Sequence, residues 1–425
     1  MSQSIVIVGG GAGGAELAAM LGRRSRHLNI DITLIDRAAK HLWKPRLHEV
    51  AAGLRGDDDA LAYLALARAN NFRFRLGALT HLDHKTRMLS LDAVFNEQGK
   101  TLLPKREFKY DKLVLAIGSQ VNDFGTPGVR EHCLLLDDTD RALAFQRRLL
   151  EAVVMVSQGT YERLRIGIVG AGATGVELAA ELCHSIRGIQ ASAGLIAAEQ
   201  LDITLIDMAD RPLANNTRAV SVFAERALSK LGVTLRLNSG VAKVTHDGFI
   251  LKDGDSVPCD LKIWASGVIG LPLAADLNLT MDRSRRILCD DHLRCIGEEN
   301  IYAMGDCASV IDPRTERPLP CTAQVAHQQA RYLFECLSRK PRAPLPKTFR
   351  YRDRGSLVSF GKTSTAGEVP LHKKGAWSFS GHFARLGYLM LQIMHRATLL
   401  GWRKTLTFTF ADALKRTAAP PVKLH

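Results

Sequence analysis

Ile5-Val6-Ile7-Val8-Gly9-Gly10-Gly11-Ala12-Gly13-Gly14-Ala15-Glu16-Leu17-Ala18-Ala19 stands at the head of the chain, and its design returns as Ile166-Gly167-Ile168-Val169-Gly170-Ala171-Gly172-Ala173-Thr174-Gly175-Val176-Glu177-Leu178. Each stretch is an apolar run that predicts a buried strand, then a glycine turn, then a helix-like run. Gly9, Gly11 and Gly14 fit GxGxxG, as do Gly170, Gly172 and Gly175. The first glycine permits the tight turn, the second lets a pyrophosphate approach the backbone, and the third lets helix and sheet pack closely. The helix start then offers unpaired N–H groups and a positive dipole end to the phosphates. In each unit a second strand-like run ends in an acid, Ile32-Thr33-Leu34-Ile35 before Asp36 and Ile203-Thr204-Leu205-Ile206 before Asp207. A carboxylate there accepts ribose hydroxyls. One such site implies a dinucleotide. Two imply that one dinucleotide is held and another visits, so that electrons pass between them.

Asp207 lies later than the usual offset because an insertion around residues 185–200 lengthens the crossover. The acid predicts a preference for NADH, since it repels the extra phosphate of NADPH. Arg211, close by in sequence, can offset that repulsion, so strictness is left open.

Strands alternating with helical stretches make the fold class α/β, with two Rossmann-like parallel-sheet units. Later strands read Lys112-Leu113-Val114-Leu115-Ala116, closed by Ile117-Gly118-Ser119, and Leu261-Lys262-Ile263-Trp264-Ala265, running into Ser266-Gly267. A third, Asn300-Ile301-Tyr302-Ala303-Met304-Gly305-Asp306, is expected to return to the first sheet. The expected organisation is therefore a discontinuous first domain over 1–140 and 268–340, a second over 141–267, and a C-terminal region over 341–425. Pro341, Pro344 and Pro346 mark the last change.

With 425 residues, 46% hydrophobic and 24% charged, the chain reads as a multi-domain globular protein and not as a disordered one. The net charge of +14 predicts attraction to an anionic surface. Zinc-finger spacing and basic heptads are lacking, which favours phospholipid over nucleic acid. The eight cysteines form no CxxC pair and no ligand spacing, so no metal site is expected and the thiols read as reduced and cytosolic. His41 and His48 gather no further ligands and read as packing or surface residues. The N-terminus runs directly into the first strand, leaving no room for a signal peptide. Near the other end, Phe383, Leu386, Met390, Ile393, Ala397 and Leu400 recur at helical steps as one apolar stripe. Arg385, Arg396, Arg403 and Lys404 break up the segment, so an interfacial amphipathic helix is expected in place of a span, with Trp402, Phe408 and Phe410 at headgroup depth. The competing expectation is a helix packed on the body or on a second subunit; a homodimer is compatible with the sequence.

Taken together, the two fingerprints and the strand ending at Gly305-Asp306 resemble the two-dinucleotide-binding flavoproteins, which hold FAD in the first domain and NAD(P)H in the second. The resemblance implies an FAD site of Gly9, Gly11, Gly14, Asp36, Ala116, Gly118 and Asp306, the last at the ribityl chain. It implies an NADH site of Gly170, Gly172, Gly175, Asp207, Ser266 and Gly267. Within that group, His41-Leu42-Trp43-Lys44-Pro45-Arg46-Leu47-His48-Glu49-Val50 is similar to the flavin-side segment of type II NADH dehydrogenases. Ala323-Gln324-Val325-Ala326-His327-Gln328 matches their AQxAxQ quinone-site motif, and Arg350-Tyr351-Arg352-Asp353-Arg354-Gly355 and the basic tail are also similar. The likeness spans the whole chain. One departure is Pro320-Cys321-Thr322 before the quinone motif.

By this resemblance the reaction is hydride transfer from NADH to non-covalent FAD, then two-electron reduction of a membrane quinone without proton pumping. The enzyme is expected to sit peripherally on the cytoplasmic face of the inner membrane. Lys44 and Pro45 would lie at the isoalloxazine, with Lys44 meeting the charge of the reduced flavin. A helix from about Thr322-Ala323 would point its N-terminus at the pyrimidine edge, worth roughly 0.3–1 kcal/mol. Gln324 and Gln328, four apart on one helix face, would bond a quinone carbonyl and the flavin. Glu177 would face the nicotinamide and handle protons or hold the hydride-transfer pose; a carboxylate stabilising the helix dipole is its other reading. Two alternatives share the fold: a sulfide:quinone oxidoreductase, with Cys133 and Cys336 as its thiols, and a soluble ferredoxin or rubredoxin reductase, which has no use for the tail stripe.

Overall fold

A computed structural model describes residues 2–56, 60–339, 343–344, 346–361, 364–371 and 375–418. Pro341, read as the start of the C-terminal region, lies outside them.

The β-branched runs become central strands because both of their faces are covered by helices, which suits near-continuous apolar sequence. Ile5, Val6 and Ile7 are buried in the first core, Ile166 and Ile168 in the second. The first sheet has five parallel strands in the spatial order Ile301–Ala303, Lys112–Leu115, Gln3–Val8, Ile30–Asp36 and Arg73–Leu76. The second repeats the order with Leu134–Leu135, Leu261–Trp264, Leu164–Val169, Leu201–Ile206 and Thr234–Arg236. Even the register is shared: Ile5 lies opposite Ile32, and Ile166 opposite Ile203. Each unit also carries a three-stranded antiparallel sheet.

The first-named strand in each order is the one set apart in sequence from its sheet's other strands. Ile301–Ala303 closes the first sheet after the second unit is complete. Leu134–Leu135 already belongs to the second sheet, so that unit begins a few residues before the expected 141. The chain crosses between units on two strands paired antiparallel, Ser119–Val121 with Val268–Gly270. The insertion in the second crossover lengthens a helix: Ala173–Ala193 has 21 residues against 17 in its counterpart Ala12–Leu28.

Three antiparallel strands, Ser356–Ser359, Thr365–Pro370 and Ala376–Ser380, precede the tail helices His382–Leu400 and Trp402–Ala418. This small sheet was not anticipated. Its strands are only four to six residues long, too short for a periodic signal to stand out.

The expected apolar stripe divides along the first tail helix. Phe383, Leu386 and Met390 are exposed, whereas Ala397 is buried and Leu400 packs against the first core. The stripe is therefore docked in its C-terminal half and open in its N-terminal half, where Ala384 and the Tyr388 hydroxyl are buried on another face of the helix. Asn70 Nδ2 donates to the Leu399 carbonyl and Arg23 Nη1 to that of Thr398, each at 2.9 Å, which satisfies backbone acceptors that a helix end leaves free. Among the described residues no helix is long and apolar enough to cross a membrane.

Candidate active site

The two glycine loops end their strands at the carboxyl edge of each sheet, where open α/β sheets bind ligands. In the first, Gly9 has φ +104°, and a Cβ there would fall on the carbonyl oxygen of Ala116. A Cβ on Gly14 would fall on the carbonyl of Gly9, while around Gly11 nothing stands within 4 Å. The loop is closed towards the sheet and open at its middle glycine, a cradle shaped for a pyrophosphate. The second loop repeats this: Gly170 (φ +111°) packs on Ala265, Gly175 on Gly170, and Gly172 is open.

Asp36 Oδ2 accepts the Gly10 N–H at 2.5 Å and Oδ1 that of Ala38 at 2.8 Å. Asp207 does the same with Ala171 and Ala209, at 2.5 and 2.8 Å. Each acid therefore braces its own glycine loop. Burial pushes the Asp36 carboxyl up, opposed by the bonds from Ala38 and Gly10. Beside the second loop lies a cavity of about 360 Å³ whose walls include Gly170, Asp207, Ser239, Trp264 and Ser266. That volume suits half of a dinucleotide. Arg211, expected near Asp207, turns away to the Ala214 carbonyl at 2.8 Å and lies 3.8 Å from Asp210. The basic side chain on the cavity wall is Lys252. It follows a strand of the antiparallel sheet, a contact no local motif announces.

Four distant segments meet beside the first loop. Lys44 and Pro45 form a single turn, Lys44–Arg46, and Lys44 Nζ donates to the Ser119 carbonyl at 3.3 Å. Ser119 Oγ donates to Asp306 Oδ2 at 3.0 Å, and Gly305 N–H donates to Gln329 Oε1 at 2.7 Å. Ala116 and Gly118, with φ +75° at Gly118, bring the return turn against Gly9. Ser266 and Gly267, with φ +67° at Gly267, form the matching turn of the second unit.

The helix Ala323–Leu337 starts where expected, with Thr322 Oγ1 accepting the Val325 N–H at 3.3 Å. Its glutamines differ from expectation. Gln324 Nε2 donates to the Gly355 carbonyl at 3.1 Å and its Oε1 accepts the Arg354 N–H at 2.7 Å. Gln328 pairs in the same two-way manner with the N–H and carbonyl of Arg352, at 3.0 and 2.8 Å. Each amide imitates a strand neighbour for residues 352–355, so both act as clamps on that segment.

Glu177 is buried at the start of the second turn of its helix, and its Oε1 accepts the Ser359 N–H at 2.9 Å. Burial, opposed by that bond and reinforced by Glu49 and Glu181, pushes its carboxyl up to about 8. His48 Nδ1 stands 3.5 Å from Glu177 Oε2, but burial drives that imidazole down to about 4. Both partners are neutral at pH 7, so their contact is not an ion pair. Glu49 is held by Arg46, at 2.9 and 2.7 Å, and by Arg55 at 2.5 Å. Two buried atoms in this region lack a hydrogen-bond partner among the described residues: His48 Nε2 and the Tyr388 hydroxyl. Burial raises the Tyr388 phenol, with Glu177 and Glu49 next in effect, so it stays a neutral donor.

The residues present fit two dinucleotides: one open glycine cradle with the Lys44–Ser119–Asp306 group beside it, and another with a cavity at its acid. The thiols of the sulfide alternative do not meet, since Cys133 packs with the second unit's antiparallel sheet and Cys336 against the first core. The described residues contain no cluster of three or more His, Cys, Asp or Glu able to hold a metal.

Comparison with known proteins agrees with this geometry. The pyridine nucleotide-disulphide oxidoreductase profile matches residues 3–330. A type II NADH:quinone oxidoreductase of Haemophilus influenzae is 35% identical, with both chains covered in full. The type II NADH:quinone oxidoreductase NdhA of Mycobacterium tuberculosis is 29% identical over 96% of this chain and 86% of its own. NDH2 of Plasmodium falciparum, solved in complex with NADH, has the same fold, with a TM-score of 0.83 and 20% identity over the whole of both chains. The chain belongs to the pyridine nucleotide-disulphide oxidoreductase family and, within it, to the type II NADH:quinone oxidoreductases.

Proposed function

We infer that this chain oxidises NADH with FAD and passes the electron pair to a membrane quinone. The observation that carries the reading is the duplicated glycine cradle, each copy closed by its own acid and return turn. When bound, FAD supplies the acceptor for hydride and the donor to quinone; the protein supplies placement and electrostatics. FAD belongs to the first cradle, with Gly9, Gly11, Gly14, Asp36, Lys44, Pro45, Ala116, Gly118, Asp306 and Ala323 around it. NADH belongs to the second, with Gly170, Gly172, Gly175, Asp207, Ser266 and Gly267. Apart from Leu134–Leu135, which pairs in the second sheet, residues 1–140 and 268–340 then form the flavin domain, and residues 141–267 the NADH domain.

Glu177 is the catalytic candidate for proton handling, because a carboxyl near 8 holds and releases a proton around neutral pH. Gln324 and Gln328 shape the acceptor side by fixing residues 352–355. The unpartnered His48 Nε2 and Tyr388 hydroxyl are suited to bond an oxygen-bearing acceptor such as a quinone carbonyl. Lys252 competes with Asp207 over a 2′-phosphate, so NADH is favoured without being exclusive.

The tail supports an anionic bilayer surface as the partner. Trp402, Leu406, Phe410 and Leu414 recur every fourth residue and are exposed, as are Phe383, Leu386 and Met390 on the preceding helix. An apolar face of that extent beside Arg403 and Lys404 suits interfacial attachment. A soluble ferredoxin reductase gives it no purpose. Attachment on the cytoplasmic face of the inner membrane is the corresponding location, and oxidation there is not coupled to pumping. Purified protein should show flavin absorbance that NADH bleaches without oxygen and a soluble quinone restores. Bleaching that quinone leaves unreversed, but ferredoxin reverses, would select the soluble-reductase reading.

A further inference from the structure

A chain of four buried or half-buried side chains links the tail to the first glycine loop. His327 Nδ1 bonds Glu16 Oε2 at 2.5 Å, and His395 Nδ1 bonds Glu16 Oε1 at 2.7 Å. His395 Nε2 meets His41 Nε2 at 2.9 Å, and His41 Nδ1 bonds the Gly10 carbonyl at 2.9 Å. Trp43 stacks on the His395 ring at 5.5 Å. The catalytic reading above uses none of these bonds.

Hydrogen-bonding capacity decides which atoms carry protons. The Gly10 carbonyl only accepts, so His41 Nδ1 donates. Burial, reinforced by His395, pushes His41 down to about 3, so its ring is neutral and Nε2 is a lone pair. His395 Nε2 must then donate to it. Although burial pushes Glu16 up, its bonds from His327 and His395 hold it below its ordinary value. Glu16 is ionised and only accepts, so His395 donates from both ring nitrogens, and the direction of every bond in the chain is set.

The Gly10 carbonyl also accepts from the Tyr63 hydroxyl at 2.6 Å. With that oxygen held from two sides, the Gly10–Gly11 peptide cannot turn over, and its N–H, on Gly11, is directed away from Tyr63 and His41. Gly11 is the open glycine of the cradle, where a pyrophosphate approaches the backbone. A flipped peptide would present its oxygen to the phosphates instead.

We propose that His395, on the tail helix, is a positioning residue for FAD: through His41 it orients the Gly10–Gly11 peptide, making tight retention of the cofactor depend on the docked tail. The coupling is reciprocal, so bound FAD also favours the docked tail. The inference rests on FAD occupying the first cradle. Wild-type protein that takes up no flavin would overturn that assignment and this coupling together, whereas the variant comparison below overturns the coupling alone.

The test is FAD release from diluted holoprotein, followed by the fluorescence of free FAD. A glutamine amide reaches the position of Nε2 and keeps the donor to His41; an asparagine amide reaches that of Nδ1 and keeps only the bond to Glu16. His395→Gln should hold FAD within about twofold of wild type, whereas His395→Asn should weaken it about tenfold, the effect of one lost hydrogen bond. His395→Ala should cost little further affinity in a His41→Ala background, since both act along one path. Equal affinities for the Asn and Gln variants, or an undiminished effect of His395→Ala without His41, overturns the proposal. If His395→Ala fails to fold, the Asn–Gln comparison still decides, because both keep the size and polarity of the site.

Discussion

Replacing Glu177 with glutamine should make the protein more stable and less active, with a stability gain that depends on pH. The carboxyl has an ordinary value of 4.5 and is raised to about 8, first by burial and then by Glu49 and Glu181 against the Ser359 bond. An unfolded chain ionises this group from pH 4.5 upwards, while the folded chain keeps it protonated until about 8. Folding therefore takes up a proton across that window, and stability falls as pH rises through it. The cost is absent below pH 4.5, about 1 kcal/mol at pH 5, about 3 kcal/mol at pH 7, and constant above 8. Glutamine preserves the acceptor for the Ser359 N–H and does not titrate. Urea unfolding of wild type and Glu177→Gln, followed by tryptophan fluorescence at pH 5 and pH 7, should show the gap widening by about 2 kcal/mol. Turnover should fall by about a hundredfold, the usual contribution of a positioned proton donor or acceptor. An unchanged gap between the two pH values would refute the argument that Glu177 is neutral when folded. Full turnover in the variant would leave Glu177 a packing residue.

Two further outcomes follow from the acceptor side and the tail. Gln324→Ala removes the bonds to Arg354 and Gly355 and should slow reoxidation of the flavin by quinone about tenfold, with reduction by NADH within about twofold of wild type; stopped-flow traces in which both half-reactions slow together would contradict it. Phe383, Leu386 and Met390, changed together to serine, remove the exposed half of the tail stripe and leave the docked half intact. Flotation with anionic vesicles should drop sharply at unchanged flavin content, and a variant that floats like wild type would show that another surface makes the contact.

The glycine turns, the acids at 36 and 207 and the helix start at 322–323 were legible because each is a local pattern, completed within a few residues. The return of Ile301–Ala303 to the first sheet could be read as well, from an apolar run ending at Gly305-Asp306 like the other buried strands that end at loops. Less could be read where the pattern is weak or the partner remote. The strands between 356 and 380 are only four to six residues long, so no extended period marks them. The motif glutamines marked one helix face by their spacing, but the residues they clamp lie 24 to 31 positions away, on a segment whose path only packing defines. Arg211 was near Asp207 in sequence and Lys252 was not, yet Lys252 lines the cavity with Asp207 while Arg211 bonds the Ala214 carbonyl.

From sequence alone came the class of the protein: two dinucleotide units of one design, a quinone-site motif, and a basic, half-apolar tail. The units and the tail follow from short-range periodicity and from glycine and acid placement, which backbone sterics impose locally; the quinone-site motif rests on the resemblance to type II NADH dehydrogenases. Tertiary structure alone decided which polar groups are spent and which are free. It engages Gln324 and Gln328, neutralises Glu177 by burying it near other acids, and threads Glu16, His41, His327 and His395 from four separate elements into one chain. Hydrogen-bond partners and dielectric surroundings are properties of the packed interior, and no stretch of sequence contains them.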